Sequence, residues 1–458
     1  MKKILYGICF LSLVVLIGAC FSPWRGEENG NLSIVWGNTE NSGGRLIHDL
    51  VDPDLTGYKV ILKGPDGKQQ EYDFSGVPGA SFSVAPGTWN VTVKGGTEYR
   101  NDYPGEEDGE LEIKILGMSQ IEVKAGEKTT ENIDMYNMME VFGWSDLDDL
   151  INSNYGYCTD PECNITRHEI IYVLKSEDPL QSCEYVVDNT LSVFFPVIIV
   201  ADGDIILKRY NDPDSGERFN DPFFSLSERE SRLTLGLPGM NGRITIDGYL
   251  EDSSSNPVTT KEAILAENYS TLVMNEGVSI IGNNTNYIDY YGGAVYVDGS
   301  TFNMNGGTIS GNKAYVSGGG VYITGSYPVG GAFNMAGGTI SGNEAINGYG
   351  GGVSVDFGTF NMTGGTISGN TANGGGGVLI LDSEIGKFLK TGNSVIYGSD
   401  APEALRNTAL LKNDGITSKG HAVYMYSYSS LGETPMKIRN TTAGAGVNLD
   451  TDSNSGWD

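Results

Sequence analysis

Two aspartates hold matching places in a repeated pattern. Asp298 and Asp356 each fall three residues after a valine, Val295 and Val353. Paired carboxylates cleave glycosidic bonds when one protonates the leaving group and the other activates water, at separations of about 6.5–9.5 Å for inversion. Two layers of stacked strands would hold this pair roughly 10 Å apart, at the upper edge of that range. Thr324 falls between them and Leu381 beyond, and no Arg or His repeats beside them. The pair therefore reads as solvated edge carboxylates, and no catalytic residue is assigned. Two loops resemble fragments of calcium sites, Asp212-Pro-Asp-Ser-Gly-Glu217 and Asp450-Thr-Asp-Ser-Asn-Ser-Gly456. The first lacks a ligand at the fifth place; the second has its glycine one place late and no closing Glu. No cofactor or metal site is expected, calcium being the one ion left open.

Tyrosines carry a different chemistry. Tyr296 and Tyr322 occupy the middle of Val-Tyr-Val and Val-Tyr-Ile strands, so both are expected to point outward on neighbouring layers, with Ser354 and Leu379 replacing them later. Exposed rings of this kind stack on sugars or dock a protein partner. An ordinary exterior ladder is the alternative.

Cysteines and the amino terminus set the compartment. Lys2 and Lys3 precede an apolar run from Ile4 to Ile17, followed by Gly18, Ala19 and Cys20. The run is short for a membrane span and fits a secretory signal. Ile17-Gly18-Ala19-Cys20 resembles the lipobox of bacterial lipoproteins. That resemblance implies cleavage after residue 19, diacylglyceryl attachment to Cys20, and export to the cell envelope on a lipid anchor, at the outer membrane surface. An ordinary signal with an incidental Cys20 is the alternative. Cys158, Cys163 and Cys183 remain, an odd number for an exported chain. Asp160-Pro161 makes a turn inside Cys158–Cys163, so a disulfide loop is expected, with all three pairings open. Zinc is the weaker reading, because His168 is the one nearby histidine and no four-ligand spacing appears.

The elements that must position these groups follow from composition and repetition. The chain has 458 residues, 65 of them Gly, and a net charge of −29 from 29 Lys plus Arg against 58 Asp plus Glu. That much glycine excludes a helical bundle, and the charge excludes nucleic acid as a partner. Residues 1–19 are read as signal and 20–30 as tether. Alternating runs at Leu32–Trp36, Tyr58–Leu62, Ser81–Val84, Trp89–Val93, Leu111–Ile115 and Gln120–Val123 predict a β-sandwich over 31–135. Ala85-Pro-Gly-Thr-Trp89 with Val91-Thr-Val93 resembles the final hairpin of transthyretin-like or carboxypeptidase-regulatory-like modules. Trp144–Ile151 predicts a short helix capped by Ser145, with Asp148 three residues on and Leu147, Leu150 and Ile151 on one face.

Internal repeats decide the rest. Phe302-Asn-Met-Asn-Gly-Gly-Thr-Ile-Ser-Gly-Asn312 recurs at Phe333–Asn343 and Phe360–Asn370, with worn copies ending at Asn283 and starting at Phe388. A second motif alternates with it: Gly292-Gly-Ala-Val-Tyr-Val297, Gly318–Ile323, Gly350–Val355 and Gly374–Ile380. The steps of 31 and 27 residues between successive Phe are short for a propeller blade and suit one coil of three short strands. Stacked coils would place Phe302, Phe333, Phe360 and Phe388 in one inward ladder and the Met and Ile positions in others. Asn283, Asn312, Asn343 and Asn370 would share a corner, where Asn tolerates the left-handed backbone conformation. The expected fold is all-β: an N-terminal β-sandwich, then over 136–458 a right-handed parallel β-helix opened by a short capping helix, its repeats clearest over about 270–400.

This pattern resembles the pectate-lyase-like superfamily, and the Gly-Gly-Thr-Ile-Ser-Gly-Asn wording resembles repeat lipoproteins of spirochaetes and related bacteria. The superfamily resemblance implies polysaccharide lyases, with calcium held by clustered Asp and a basic proton acceptor, or hydrolases with convergent Asp. His421, in Gly420-His-Ala, resembles a Gly-His-Gly hydrolase element only in its first two residues. The lipoprotein resemblance implies a surface protein that binds or builds. The expected function is non-catalytic adhesion or structure, with a host or matrix protein or a neutral glycan as partner. A polysaccharide-active enzyme is the alternative.

Overall fold

The computed structural model describes residues 29–36, 57–75, 79–98, 111–156, 170–176, 182–212, 215, 217–249, 259–285, 291–326, 328–382, 387–398, 401–410 and 420–427. Among these the protein is all-β with one helix. The chain divides between Met135 and Tyr136 into two compact units.

In the first unit Gly30–Trp36 lies between Gly79–Val84, antiparallel, and Lys128–Ile133, parallel. Gln69–Ser75, Gly57–Lys63, Gly87–Glu98 and Leu111–Val123 form a second, antiparallel set in that order. Period-two alternation sends Leu32, Ile34 and Trp36 from the first set, and Val60, Leu62, Val91 and Val93 from the second, into one core. The segment Ala85-Pro86-Gly87 is not the hairpin expected of it. Gly79–Val84 and Gly87–Glu98 belong to different sets, and the segment is a corner between them. The Trp89 indole Nε1 donates to Ala85 O at 2.8 Å and pins that corner.

In the second unit each pass of the chain adds one strand to each of three parallel sheets. The Phe sheet runs from Tyr136–Val141 through Thr271–Met274, Thr301–Met304, Val329–Met335 and Gly358–Met362 to Lys387–Lys390. The Ile sheet runs from Cys183–Val187 through Thr308–Ser310, Thr339–Ser341 and Thr366–Ser368 to Val395–Ile396. The Tyr sheet runs from Leu191–Ser192 through Ile264–Ala266, Val295–Asp298, Val321–Ser326 and Val353–Val355 to Val423–Ser427. Five two-residue strands from Asn284–Thr285 to Thr408–Ala409 line the corner between the Ile and Tyr sheets.

Register is repeat on repeat. Phe302 pairs with Phe333, Phe333 with Phe360, and Phe360 with Phe388, their ring centroids 4.8, 4.7 and 5.2 Å apart. Met304, Met335 and Met362 follow suit, as do Ile309, Ile340 and Ile367, and all are buried in one continuous cluster. Glycine has a specific task at the Gly-Gly corners. Gly307, Gly338 and Gly365 take φ of 84°, 84° and 80°. At Gly337 and Gly364 an added Cβ would lie 2.3 and 2.0 Å from a carbonyl oxygen of the layer below.

Helix α1, Trp144–Gly156, packs on Tyr136–Val141 and Cys183–Val187, with Trp144, Leu147 and Ile151 buried at the start of the main core. Its start differs from the expected Ser145 cap. Leu147 N donates to Gly143 O, so the helix opens at Gly143, and the Asp146 carboxylate reaches back to accept from Phe142 N at 3.0 Å. Asp148 instead accepts from Asn152 and Asn189.

Candidate functional site

The most ordered polar feature of the second unit is a buried asparagine ladder. Asn283, Asn312, Asn343 and Asn370 are essentially solvent-free, and Asn407 joins them at the far end. Each donates its backbone N–H and its Nδ2 to the Oδ1 of the next, at 2.9–3.0 Å throughout. From Asn312 onward each Nδ2 also donates to a carbonyl of an earlier layer: Ile280, Ile309, Ile340 and Ile367 in turn. The left-handed conformation expected of these asparagines belongs to the glycines before them. Gly282, Gly311, Gly342 and Gly369 take φ of 65–71°. With Gly turning the corner, each Asn is free to point inward.

The ladder leaves one acceptor open, Oδ1 of Asn283. Arg209 Nη2 donates to it at 3.2 Å. Arg209 is buried, stacks over the Phe223 ring at 4.4 Å, and donates to the carbonyls of Asp221, Lys261 and Glu262. Burial lowers the guanidinium to about 9 and pushes the neighbouring Glu262 carboxyl up to about 7. Sequence reasoning missed both Arg209 and Asn407, because neither lies in a recognisable repeat.

The tyrosine strip is more closed than expected. Tyr296 and Tyr322 pair in register with ring centroids 5.4 Å apart, but Tyr322 is only 4% exposed. Tyr291 lies across it at 4.6 Å, and the Tyr322 hydroxyl donates to Asp356 Oδ2 at 3.0 Å. The outward positions that follow it, Ser354, Leu379 and Tyr424, are buried as well. Tyr296 remains half-buried; burial, then the charge of Asp298, pushes its hydroxyl up to about 12. Val295, Val297, Val321 and Ile323 belong to the main core whereas Tyr296 and Tyr322 lie outside it, and Tyr291, from outside the repeat, packs on Tyr322 there.

The two aspartates have different surroundings. Asp356 accepts the Tyr322 hydroxyl. Asp298 instead opens on a cleft of about 250 Å³ at the corner between the Tyr and Phe sheets, shared with Glu267, Asn268, Tyr269, Ser326 and Val329. Thr324 is the register partner of Asp298.

Other sequence candidates resolve plainly. His421 Nδ1 accepts from Ala409 N at 3.3 Å and lies 3.1 Å from Asn407 O, tying the last layer together. Asp212 accepts from the Ser215 hydroxyl at 2.6 Å and donates its N–H to Glu217 O, closing a small turn. No group of three or more His, Cys, Asp or Glu suited to a metal occurs among the described residues. Cys183 is a half-buried free thiol. Cys20, Cys158, Cys163 and the loop 450–456 lie outside the described residues.

Compared with known proteins, the chain matches no family model, no curated protein and no solved structure.

Proposed function

We propose that this chain is a lipid-anchored bacterial surface protein with a non-catalytic binding role, built as a β-sandwich followed by a right-handed parallel β-helix. The observation that carries the reading is where the polar groups of the repeat go. The corner asparagines spend their donors and acceptors along the stack, and Asn303, Asn334 and Asn361 form a second ladder at 2.9 Å on the outer side of the Phe sheet. Side chains bonded to their own copies in adjacent layers specify a rigid support rather than convergent acid–base groups. Asp356, one of the two repeated carboxylates, is held by Tyr322. The lipobox resemblance at Cys20 supplies the anchor, and the Gly-Gly-Thr-Ile-Ser-Gly-Asn repeats supply the likeness to surface lipoproteins of spirochaetes. The partner fitting an acidic body is a neutral glycan or a basic segment of a host or matrix protein.

The test is a glycan and extracellular-matrix array probed with the soluble chain lacking residues 1–19, beside depolymerisation assays on pectin and alginate with and without calcium. Binding without turnover is expected. Turnover abolished by Asp298→Asn or Asp356→Asn would replace this reading with the pectate-lyase-like enzyme.

A further inference from the structure

The cleft beside Asp298 is built by departures from the repeat. Its floor is the turn Glu267-Asn268-Tyr269, which joins Ile264–Ala266 of the Tyr sheet to Thr271–Met274 of the Phe sheet. Asn268 and Tyr269 both stand in the left-handed region, at φ of 57° and 65°. Consecutive non-glycine residues there, one of them aromatic, are held against their own steric preference. Asn268 Nδ2 donates to Ser227 O at 2.7 Å and fastens the turn to the layer below. The result is a Tyr269 ring standing 56% exposed.

The next layer places Asp298 at the same corner, and the layer after it adds a wall. Phe333 comes ten positions after Ile323, against five from Val297 to Phe302 and five from Val355 to Phe360. The extra residues fold back as a short antiparallel ladder, Gly325 with Gly330 and Ser326 with Val329. Ser326 and Val329 from this insertion line the same cleft as Tyr269.

The lining has two characters. Glu267 and Asp298 offer acceptors only, Asn268 has its amide donor committed and its Oδ1 left to accept, and Ser326 adds a hydroxyl. Burial, and then the charge of Asp298, raise the Glu267 carboxyl above its ordinary value, which places the two acids within electrostatic reach of each other. Tyr269 and Val329 are the apolar part. A lining that combines several acceptors with an exposed aromatic ring suits a pyranose, which has hydroxyls along its rim and C–H bonds across its plane. A cationic guest fits less well, because Arg229 already places its guanidinium 5.5 Å from the Tyr269 ring centroid. An acidic sugar would meet two carboxylates.

We propose that this corner cleft is a subsite for one neutral sugar residue, stacked on Tyr269 and donating hydroxyls to Glu267 and Asp298. The proposal rests on the reading of the protein as a non-catalytic binder and names where a glycan would sit. The test titrates the chain lacking residues 1–19 with glucose, galactose, mannose, N-acetylglucosamine and their dimers, and with hexalysine, by ligand-observed NMR and calorimetry. At least one neutral sugar should bind, and Tyr269→Ala should weaken it roughly tenfold, the loss of about one aromatic contact. Asp298→Asn should weaken it too, whereas Tyr269→Trp should retain it. Tyr269→Gly, which suits the left-handed backbone, should melt no lower than the wild type and still lose the sugar. Sugar binding indifferent to Tyr269→Ala would refute the cleft and leave the binding function standing. Hexalysine binding that Tyr269→Ala abolishes would make the guest a cation and overturn the sugar. Failure of every neutral sugar would also overturn the proposal, and the binding function would then stand or fall on the matrix array.

Discussion

Arg209 shows how one buried side chain can govern a repeated structure. Every amide in the asparagine ladder points the same way, so the acceptor dipoles accumulate toward Asn283, and a cation belongs at that end. Arg209 supplies it, with Phe223 beneath the guanidinium. Replacing Arg209 by Met should keep the volume yet strand Asn283 Oδ1 and the buried Glu262; the expected loss is about 3–5 kcal/mol in a denaturant melt. An unchanged midpoint would show that the ladder needs no terminal charge. Glu262 adds a pH dependence whose sign follows from its raised carboxyl. The folded state prefers the protonated acid, so this stabilisation is full below about pH 4.5 and fades as pH rises through about 7. Glu262→Gln should flatten that part of the stability profile between pH 4.5 and 7 and leave the rest of the curve unaltered.

At the level of the strand, the inward ladders bear the load. Phe333 lies between two stacked rings and is wholly buried, so Phe333→Ala should cost roughly 3–5 kcal/mol as a cavity opens. Asn334 on the same strand faces outward and is half-exposed, but it donates to Asn303 and accepts from Asn361. Asn334→Ala should therefore cost about 1–2 kcal/mol, two net hydrogen bonds at most. Equal shifts in thermal melts of the two variants would contradict the inside and outside assignment. These positions were legible because a period of two and identical repeats leave little freedom: Phe-Asn-Met can alternate in only one way once Phe is inside. Gln69–Ser75 and Lys128–Ile133 are hard to read from sequence because their apolar signal is short: in the first only Tyr72 and Phe74 alternate, though both pack against the core, and in the second Ile133 is the one apolar residue. The turn at Tyr269 is hard to read for another reason. A tyrosine between Asn268 and Ser270 gives no sign that its backbone is left-handed. The burial of Tyr322 is not legible in the same way, because a strand pattern tells which face a residue takes, but not what later covers that face.

For the whole molecule the deciding quantity is charge. With a formal charge of −29, the body is repelled by anionic headgroups, and the proposed signal would remove two lysines and no acid, making the mature chain more acidic still. Attachment to a membrane then needs apolar insertion strong enough to outweigh that repulsion. Among the described residues no helix is long and apolar enough to cross. A diacylglyceryl group on Cys20 would meet the requirement, since each buried CH₂ contributes about 0.8 kcal/mol and two chains anchor where one is marginal. Two attachment mechanisms separate by their response to salt. Attachment through divalent bridges between the acidic surface and headgroups should be released by chelator and high salt. Insertion of acyl chains should survive both and yield only to detergent. The wild-type protein is accordingly expected in the membrane pellet after washes with EDTA and molar salt, and in the detergent phase on partitioning. Cys20→Ala should appear in the aqueous phase or as an uncleaved precursor. A Cys20→Ala protein that is processed and still enters the detergent phase would exclude the thioether lipid and place the anchor elsewhere in the chain.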